Sequence, residues 1–237
     1  ASFTLTINTT GSSYISGGGD IVISGGVEGP GSIAFNAGSS HVVTVGPVRG
    51  STPVASFNIT SSNAKSISLS SVSTSSGEIS IAVPATFQGD DITLQSKGGA
   101  IHISSSCDFN GSKNSLSIDA GSGDVNIPSI PSFNSISILG GAVSVGSGLS
   151  SSGYITLGHA NSANIQGSIS ADKGFTDSGN GSLICSDISS SNGYISFTGS
   201  PKLSGNLKAE TYMSFSSSAS LIGNSSWIAP AGIIVVG

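Results

Sequence analysis

Charged residues are scarce in this sequence. They make up 8% of its 237 residues, against about 25% in a typical soluble domain. Basic residues are the scarcest, because Arg49 is the single arginine and Lys and Arg together number seven against twelve Asp and Glu. Nucleic-acid binding requires a clustered basic surface, and attraction to anionic membrane surfaces requires basic segments. We therefore expect neither nucleic acid nor a membrane as a partner.

Aromatic residues and long apolar runs are also scarce. Aromatics account for 6% of the chain, and the longest apolar run, Ile233 to Val236, is far too short to span a bilayer. Disordered chains are poor in branched aliphatics, whereas Ile, Val and Leu recur here at short, regular intervals. The sequence therefore predicts an ordered chain with a narrow hydrophobic core.

Serine and glycine are abundant, and they surround one short pattern that repeats along the chain. Serine makes up nearly a quarter of the residues and glycine numbers 34. In the repeat, two apolar residues flank one small or polar residue, as in Ile33/Phe35, Ile79/Ile81, Ile101/Ile103, Val125/Ile127, Ile155/Leu157 and Ile195/Phe197. Alternation with a period of two places both apolar side chains on one face of a strand. No stretch has a helical period, so an all-β chain is predicted.

A glycine stands two positions before many of these pairs and sets a longer period. The leading glycines recur at similar intervals through Gly77, Gly99, Gly123 and Gly141. The intervals from Gly31 to Gly77 and from Gly153 to Gly193 are each close to two such steps, whereas the short interval from Gly141 to Gly153 breaks the rhythm. Glycine at this position is expected to supply a left-handed or otherwise strained turn.

This period predicts a single parallel β-helix over residues 1–237, with about 10–12 coils of roughly 20–24 residues. Antiparallel sandwiches and barrels use longer strands and more aromatic residues, and are disfavoured. Cys107 and Cys185 would then lie several coils apart, at about 4.8 Å per coil, beyond the ~7 Å limit for a disulfide. We expect two buried thiols, with an intermolecular bridge as the alternative.

Segments such as Gly77-Glu-Ile-Ser-Ile81 and Gly89-Asp-Asp-Ile-Thr-Leu94 resemble the coils of filamentous haemagglutinin-type exoproteins and autotransporter passengers. The resemblance covers most of the chain and is one of composition. It implies a secreted, right-handed β-helix used for surface display or adhesion, and hence an extracellular or cell-surface location. The start at Ala1 without a methionine agrees with a processed or excised chain.

Residues with catalytic or metal-binding potential are present but do not form a recognisable site. Hydrolysis of polysaccharides needs converging carboxylates, and Asp90-Asp91, Asp108, Asp119 and Asp124 are instead expected at turns, bonded to their own backbone. His41, His102 and His159 are expected on the surface. No zinc spacing occurs, and Gly121-Ser-Gly-Asp124 and Gly17-Gly-Gly-Asp20 are only faint, non-tandem echoes of a calcium repeat. We expect no enzyme activity and no cofactor, with calcium as a weak alternative.

Both ends of the chain carry apolar strands without an amphipathic capping helix. Residues 1–10 and 226–237 are therefore candidate caps or assembly joints. The candidate interface residues are Phe3, Leu5, Ile7, Trp227, Ile228, Ile233, Ile234, Val235 and Val236. Two functions remain open. One is a non-enzymatic structural solenoid that joins copies of itself, end to end or laterally, as a filament subunit, or that forms an adhesin stalk. The other is a carbohydrate-active or glycan-binding β-helix that uses Tyr154 and Tyr194, and its partners would be host or cell-surface glycans.

Overall fold

The computed structural model describes residues 4–9, 18–60, 63–199, 202–216, 220–221 and 226–235. These residues form strands and turns, with no helix among them. The strands pair in parallel and stack as a β-solenoid of about ten coils. The all-β, parallel β-helical fold predicted from the apolar pairs is therefore confirmed. The coils group into two compact units, Ala1–Ser112 with Asp119–Pro128 and Lys113–Ile118 with Ser129–Gly237.

Three sets of strands build the first unit. Its strands are β1 (Thr4–Asn8), β2 (Ile21–Ile23), β3 (Ser32–Asn36), β4 (Gly38–Val45), β5 (Phe57–Ile59), β6 (Ala64–Leu69), β7 (Val72–Thr74), β8 (Ile79–Ile81), β9 (Ala85–Gln88), β10 (Asp91–Ser96), β11 (Ile101–Ile103) and β12 (Cys107–Asn110). β13 (Ser115–Asp119) contributes residues to both units, and β14 (Val125–Ile127) belongs to the first.

Each set forms one parallel ladder. The first ladder runs β1–β3–β5–β8–β11–β14, and the second runs β2–β4–β6–β9–β12. The third begins as single bridges from Val27 to Val48 and on to Val72, and continues as β7–β10. A coil of this unit therefore contributes one segment to each of three ladders.

The second unit has the same three-ladder plan. Its strands are β15 (Phe133–Val145), β16 (Leu149–Ile165), β17 (Ile169–Ala171), β18 (Gly174–Asp177), β19 (Ser182–Ile184), β20 (Asp187–Ser190), β21 (Tyr194–Phe197), β22 (Lys202–Leu203), β23 (Asn206–Ala209), β24 (Met213–Phe215), β25 (Ser220–Leu221), β26 (Trp227–Ile228) and β27 (Ile233–Val235). β15 pairs with the long strand β16, and β16 in turn pairs with the first strand of each of three ladders, β17–β20–β23–β26, β18–β21–β24–β27 and β19–β22–β25.

Coil length differs between the units. In the first unit one ladder position is occupied in turn by Ile33, Phe57, Ile79, Ile101 and Val125. In the second unit one ladder position is occupied in turn by Ile155, Phe175, Ile195, Met213 and Ile233, and these residues lie closer together in sequence. The first unit therefore has the longer coils. Both series keep a nearly constant spacing, as the repeat of apolar pairs predicts.

The apolar pairs form the core, as predicted. Both members of each pair point inward and are buried, while the residue between them points outward, as in Ile101, His102 and Ile103. Because coils stack in register, like side chains lie over like. Phe197 lies in register with Phe215, with ring centroids 5.2 Å apart. It also contacts the ring of Phe175 diagonally, at 5.9 Å. Such columns fill a narrow interior with few aromatic residues.

The glycines that precede the pairs are required for a reason other than the one predicted. Positive φ values occur at other glycines, such as Gly98 and Gly121, and not at Gly77, Gly99 or Gly123. A Cβ on Gly123 would clash with the carbonyl oxygen of Gly99 in the preceding coil. The expectation of a left-handed turn is therefore wrong at these positions. Glycine is needed because successive coils approach closely there.

Candidate functional site

The first coil presents two edge strands. β1 bonds to β3 along one edge and β2 bonds to β4 along one edge, and no register partner is described for the opposite edge of either strand. Leu5 occupies an inward ladder position, in register with the buried Ile33, and yet its side chain is 53% exposed. Ile7 follows it on the same face and is half-buried. Leu5, Val27 and Val54 line a notch of about 50 Å³ beside this edge.

The last coil presents edge strands of the same kind. β26 bonds to β23 and β27 bonds to β24, and no described strand follows either of them. Trp227 points inward and stacks on Phe215, with centroids 4.7 Å apart and ring planes at 14°. Ile228 points outward and is 52% exposed. The predicted terminal strand therefore exists, and its tryptophan completes the core of the last coil.

Some of the predicted interface residues fall outside what the structure describes. Phe3 and Val236 lie outside the described residues. Ile233, Ile234 and Val235 form β27, in register with Met213, Ser214 and Phe215, and only their backbone is described. The structure therefore places Leu5, Ile7, Trp227 and Ile228 by side chain, and residues 233–235 by strand.

The three most exposed large hydrophobic side chains among the described residues lie in the first and last coils. Among the described residues, the large hydrophobic side chains with the greatest exposure are Val22 at 69%, Leu5 at 53% and Ile228 at 52%. Val22 is the outward residue of β2 and was not among the residues predicted from the sequence. The sequence does indicate an outward hydrophobic residue here, because Val22 lies between Ile21 and Ile23, where nearly all other pairs carry a small or polar residue.

Aspartate side chains link successive coils by accepting hydrogen bonds from the coil that follows. Asp20 Oδ1 accepts from the Val42 N–H at 2.9 Å, Asp90 Oδ1 from the Ser112 N–H at 2.7 Å and Asp187 Oδ1 from the Asn206 N–H at 3.0 Å. In each case the acceptor precedes the donor by one coil. We call these contacts forward clamps. The expectation that turn aspartates bond to their own backbone holds for Asp119, which accepts from Gly121, and is wrong for Asp90.

Hydrogen bonds from the following coil hold several carboxyl groups in their ionised form. The backbone N–H of Val42 lowers the pKa of Asp20, and that of Ser112 lowers the pKa of Asp90. The Ser191 hydroxyl, also one coil later, lowers the pKa of Asp172. Each pKa falls below the ordinary 3.8. A carboxyl group whose pKa is lower in the folded state stabilises the fold above its unfolded pKa, and that contribution is lost as the pH falls through the folded pKa.

We expect stability to decline below about pH 4 because these carboxyl groups become protonated. Replacing Asp20, Asp90 and Asp172 together by asparagine should flatten this decline, because an amide oxygen still accepts a hydrogen bond and does not titrate in this range. Thermal unfolding between about pH 2 and 6 measures it. The matched control is Glu78→Gln, an exposed carboxylate outside the clamps, which should leave the pH profile of Tm unchanged. An equally steep profile in the triple variant would contradict this assignment.

Tyrosines form an exposed column in the second unit. Tyr154, Gly174 and Tyr194 share one ladder position. The Tyr194 ring covers Gly174, because a Cβ there would lie 2.8 Å from a ring carbon. On its other side Tyr194 stacks on Tyr212 at 5.5 Å and 11°. Both faces of Tyr194 are therefore occupied. Since a sugar stacks on an open ring face, this arrangement disfavours Tyr194 as a carbohydrate platform.

His159 and Asp177 form a buried polar pair in the second unit. Nε2 of His159 lies 3.3 Å from Oδ1 of Asp177, and both side chains are fully buried. Asp177 Oδ1 also accepts from the Gly179 N–H at 2.9 Å. The expectation that His159 is a surface residue is wrong. β16 continues past Ile155 and Leu157, so its alternation carries His159 inward.

This pair gives no indication of catalysis. The adjacent Ser178 hydroxyl donates to the Leu157 carbonyl oxygen at 3.2 Å, and neither member of the pair reaches solvent. Where side chains are described, no group of three or more His, Cys, Asp or Glu residues could hold a metal ion. Cys107 and Cys185 are both buried thiols, as predicted. Burial raises the pKa of Cys185 to about 12, which makes it a poor nucleophile.

The fold defines the class of protein as a parallel β-solenoid. Among the described residues, its first strands, β1 and β2, and its last strands, β26 and β27, each have a single pairing partner. Comparison with known proteins gives no narrower assignment, since no family model, curated protein or solved structure matches this chain. Within the described residues, no helix is long and apolar enough to cross a membrane.

Proposed function

We propose that this chain is a non-enzymatic, extracellular structural protein whose copies join end to end through their terminal strands. The observation that carries the proposal is that the three most exposed large hydrophobic side chains among the described residues lie in edge strands of the first and last coils. Val22, Leu5 and Ile228 are more exposed than any other large hydrophobic side chain described, and all three lie in strands with one described partner. An edge strand offers a row of N–H and C=O groups to another chain.

The two ends differ in sequence, so a joint between them is heterologous. Heterologous contacts propagate unless the rotation between subunits closes a ring. A solenoid is suited to propagation, because each added subunit continues the parallel ladders already present. The extracellular location rests on the resemblance of the glycine-led coils to secreted exoproteins.

We expect the purified chain to form longer assemblies as its concentration rises, since apolar burial of about 25 cal/mol per Å² favours the joint. Sedimentation velocity and negative-stain electron microscopy measure this. Val22→Lys or Ile228→Lys should each abolish the assemblies, because each places a charge at the joint. The matched control is Ile184→Lys, since Ile184 is an outward residue with 48% exposure in β19, away from both terminal strands.

Two results would contradict the proposal. One is a monomeric parent chain at every concentration, and the other is equal loss of assembly in Ile184→Lys and in the two terminal variants. Circular dichroism confirms that each variant keeps its strand content, so that loss of assembly is not loss of fold.

A further inference from the structure

We propose a specific register for the joint, in which β26 of one copy pairs in parallel with β2 of the next. This inference rests on the proposed end-to-end association and names the strands that carry it. The pairing places Trp227 next to Ile21 and Ile228 next to Val22. The same alignment places Ser226 next to Asp20. Both residues are apolar in the first two pairs, and both are polar in the third.

The forward clamps identify β2 and β26 as equivalent strands. Asp20 directly precedes the inward Ile21 and clamps Val42, which directly precedes the inward Val43. In the second unit, Asp187 precedes the inward Ile188 and clamps Asn206, which precedes the inward Leu207. The same local geometry therefore occurs in the β2 ladder and in the β26 ladder. Each ladder is recognised from contacts within its own unit.

The clamps of the β26 ladder end at Ser226, whose hydroxyl oxygen can still accept a hydrogen bond. Asn206 Oδ1 accepts from both the N–H and the hydroxyl of Ser226, at 3.0 and 3.1 Å. The Ser226 hydroxyl oxygen, which donates its proton to Asn206, keeps lone pairs that can accept. In the proposed register it faces the backbone N–H of Asp20 in the next copy. The clamps then continue through Asp20 to Val42.

The outward residues supply the second argument. Val22 follows Ile21 on β2, and Ile228 follows Trp227 on β26, so one register places both exposed side chains side by side. Neighbouring side chains on the same sheet face shield each other from water. A register shift of one residue would place each exposed hydrophobic side chain opposite an inward-facing residue of the other strand. Only the proposed register pairs inward with inward and outward with outward while joining the two clamps.

Cysteine cross-linking between two singly substituted chains tests this register. One chain carries Val22→Cys and the other Ile228→Cys, and the oxidant is diamide. Residues opposite each other in neighbouring strands lie about 4.8 Å apart, within the Cα range of a disulfide. A mixture should give a heterodimer that forms in neither variant alone and stops at two chains. The buried Cys107 and Cys185 remain in all samples.

The matched control mixes Val22→Cys with Ser220→Cys, because Ser220 lies on β25, the terminal strand of another ladder. Heterodimer with Ile228→Cys and none with Ser220→Cys supports the register. Preferential cross-linking to Ser220→Cys, or a Val22→Cys homodimer, overturns it even if the parent chain assembles. A parent chain that stays monomeric by sedimentation overturns the proposed function itself, and so the two failures are distinguished.

Discussion

Replacing Phe197 by alanine is expected to lower the free energy of unfolding by about 3–5 kcal/mol. The ring is fully buried and contacts the rings of Phe215, its register partner, and Phe175. Truncation removes both ring contacts and leaves a cavity in the core. The neighbouring coils cannot collapse into it, because their spacing is fixed by the hydrogen bonds of the parallel ladders.

Urea unfolding followed by alkylation of Cys185 measures this loss locally, since Cys185 is buried in the same unit as Phe197. Labelling of Cys107 reports the first unit in the same sample. The matched control is Phe197→Leu, which keeps most of the apolar volume and should cost clearly less. Equal shifts of the Cys185 labelling midpoint in the two variants would show that the column does not act as a packed stack.

Replacing Asp177 by alanine is expected to lower the free energy of unfolding by about 1–3 kcal/mol. Asp177 occupies an inward ladder position between Leu157 and Phe197 and is fully buried. Its removal leaves the Gly179 N–H without its acceptor and the buried His159 ring without the carboxylate 3.3 Å away. Buried polar groups that lose a partner bear the full cost of desolvation. The same urea and thiol-labelling experiment measures the change.

Asp177→Asn is the matched control, because the amide oxygen can still accept from Gly179 and the side-chain volume is kept. We expect it to retain more stability than Asp177→Ala. A double-mutant cycle with His159→Leu isolates the interaction between the pair, for which about 0.5–3 kcal/mol is typical of contacting residues. A coupling energy near zero would show that the two side chains are neighbours without a stabilising contact.

The coil period could be predicted from sequence because glycine position and register coincide. The interval from Gly31 to Gly77 corresponds to two coils, with Phe57 in register between Ile33 and Ile79. The interval from Gly153 to Gly193 also corresponds to two coils, with Phe175 in register between Ile155 and Ile195. In both cases the intervening coil lacks the leading glycine and still keeps its inward apolar residue.

The short interval from Gly141 to Gly153 does not correspond to one coil. Gly141 precedes Val143, which pairs with Ala163, whereas Gly153 precedes Ile155, which pairs with Ile136. The two glycines therefore lead into different ladders of the solenoid. A glycine two positions before an apolar pair marks a close approach between coils, and such approaches occur on more than one side. The spacing of glycines in the sequence does not by itself show which ladder each glycine precedes.

The candidate site was only partly predictable. The terminal strands could be identified from their composition, and Leu5 and Ile228 are exposed there. The outward position of Val22 was readable from its place between Ile21 and Ile23, whereas the position of β2 in the first coil depends on how the coils stack. The inward position of His159 was readable from alternation with Ile155 and Leu157, but its partner Asp177 lies on the next coil. Contacts between coils depend on register, which a single sequence indicates only approximately.

The forward clamps are directional along the chain. Each acceptor belongs to an earlier coil than the N–H it binds, as in Asp20 with Val42 and Asp187 with Asn206. Chains emerge from the ribosome amino terminus first, so every finished coil that carries a clamp already holds the acceptor that the next coil requires. Loss of coils from the carboxyl end leaves each remaining clamped N–H with its acceptor. Loss from the amino end removes acceptors and leaves donors behind, so the two directions of erosion are not equivalent.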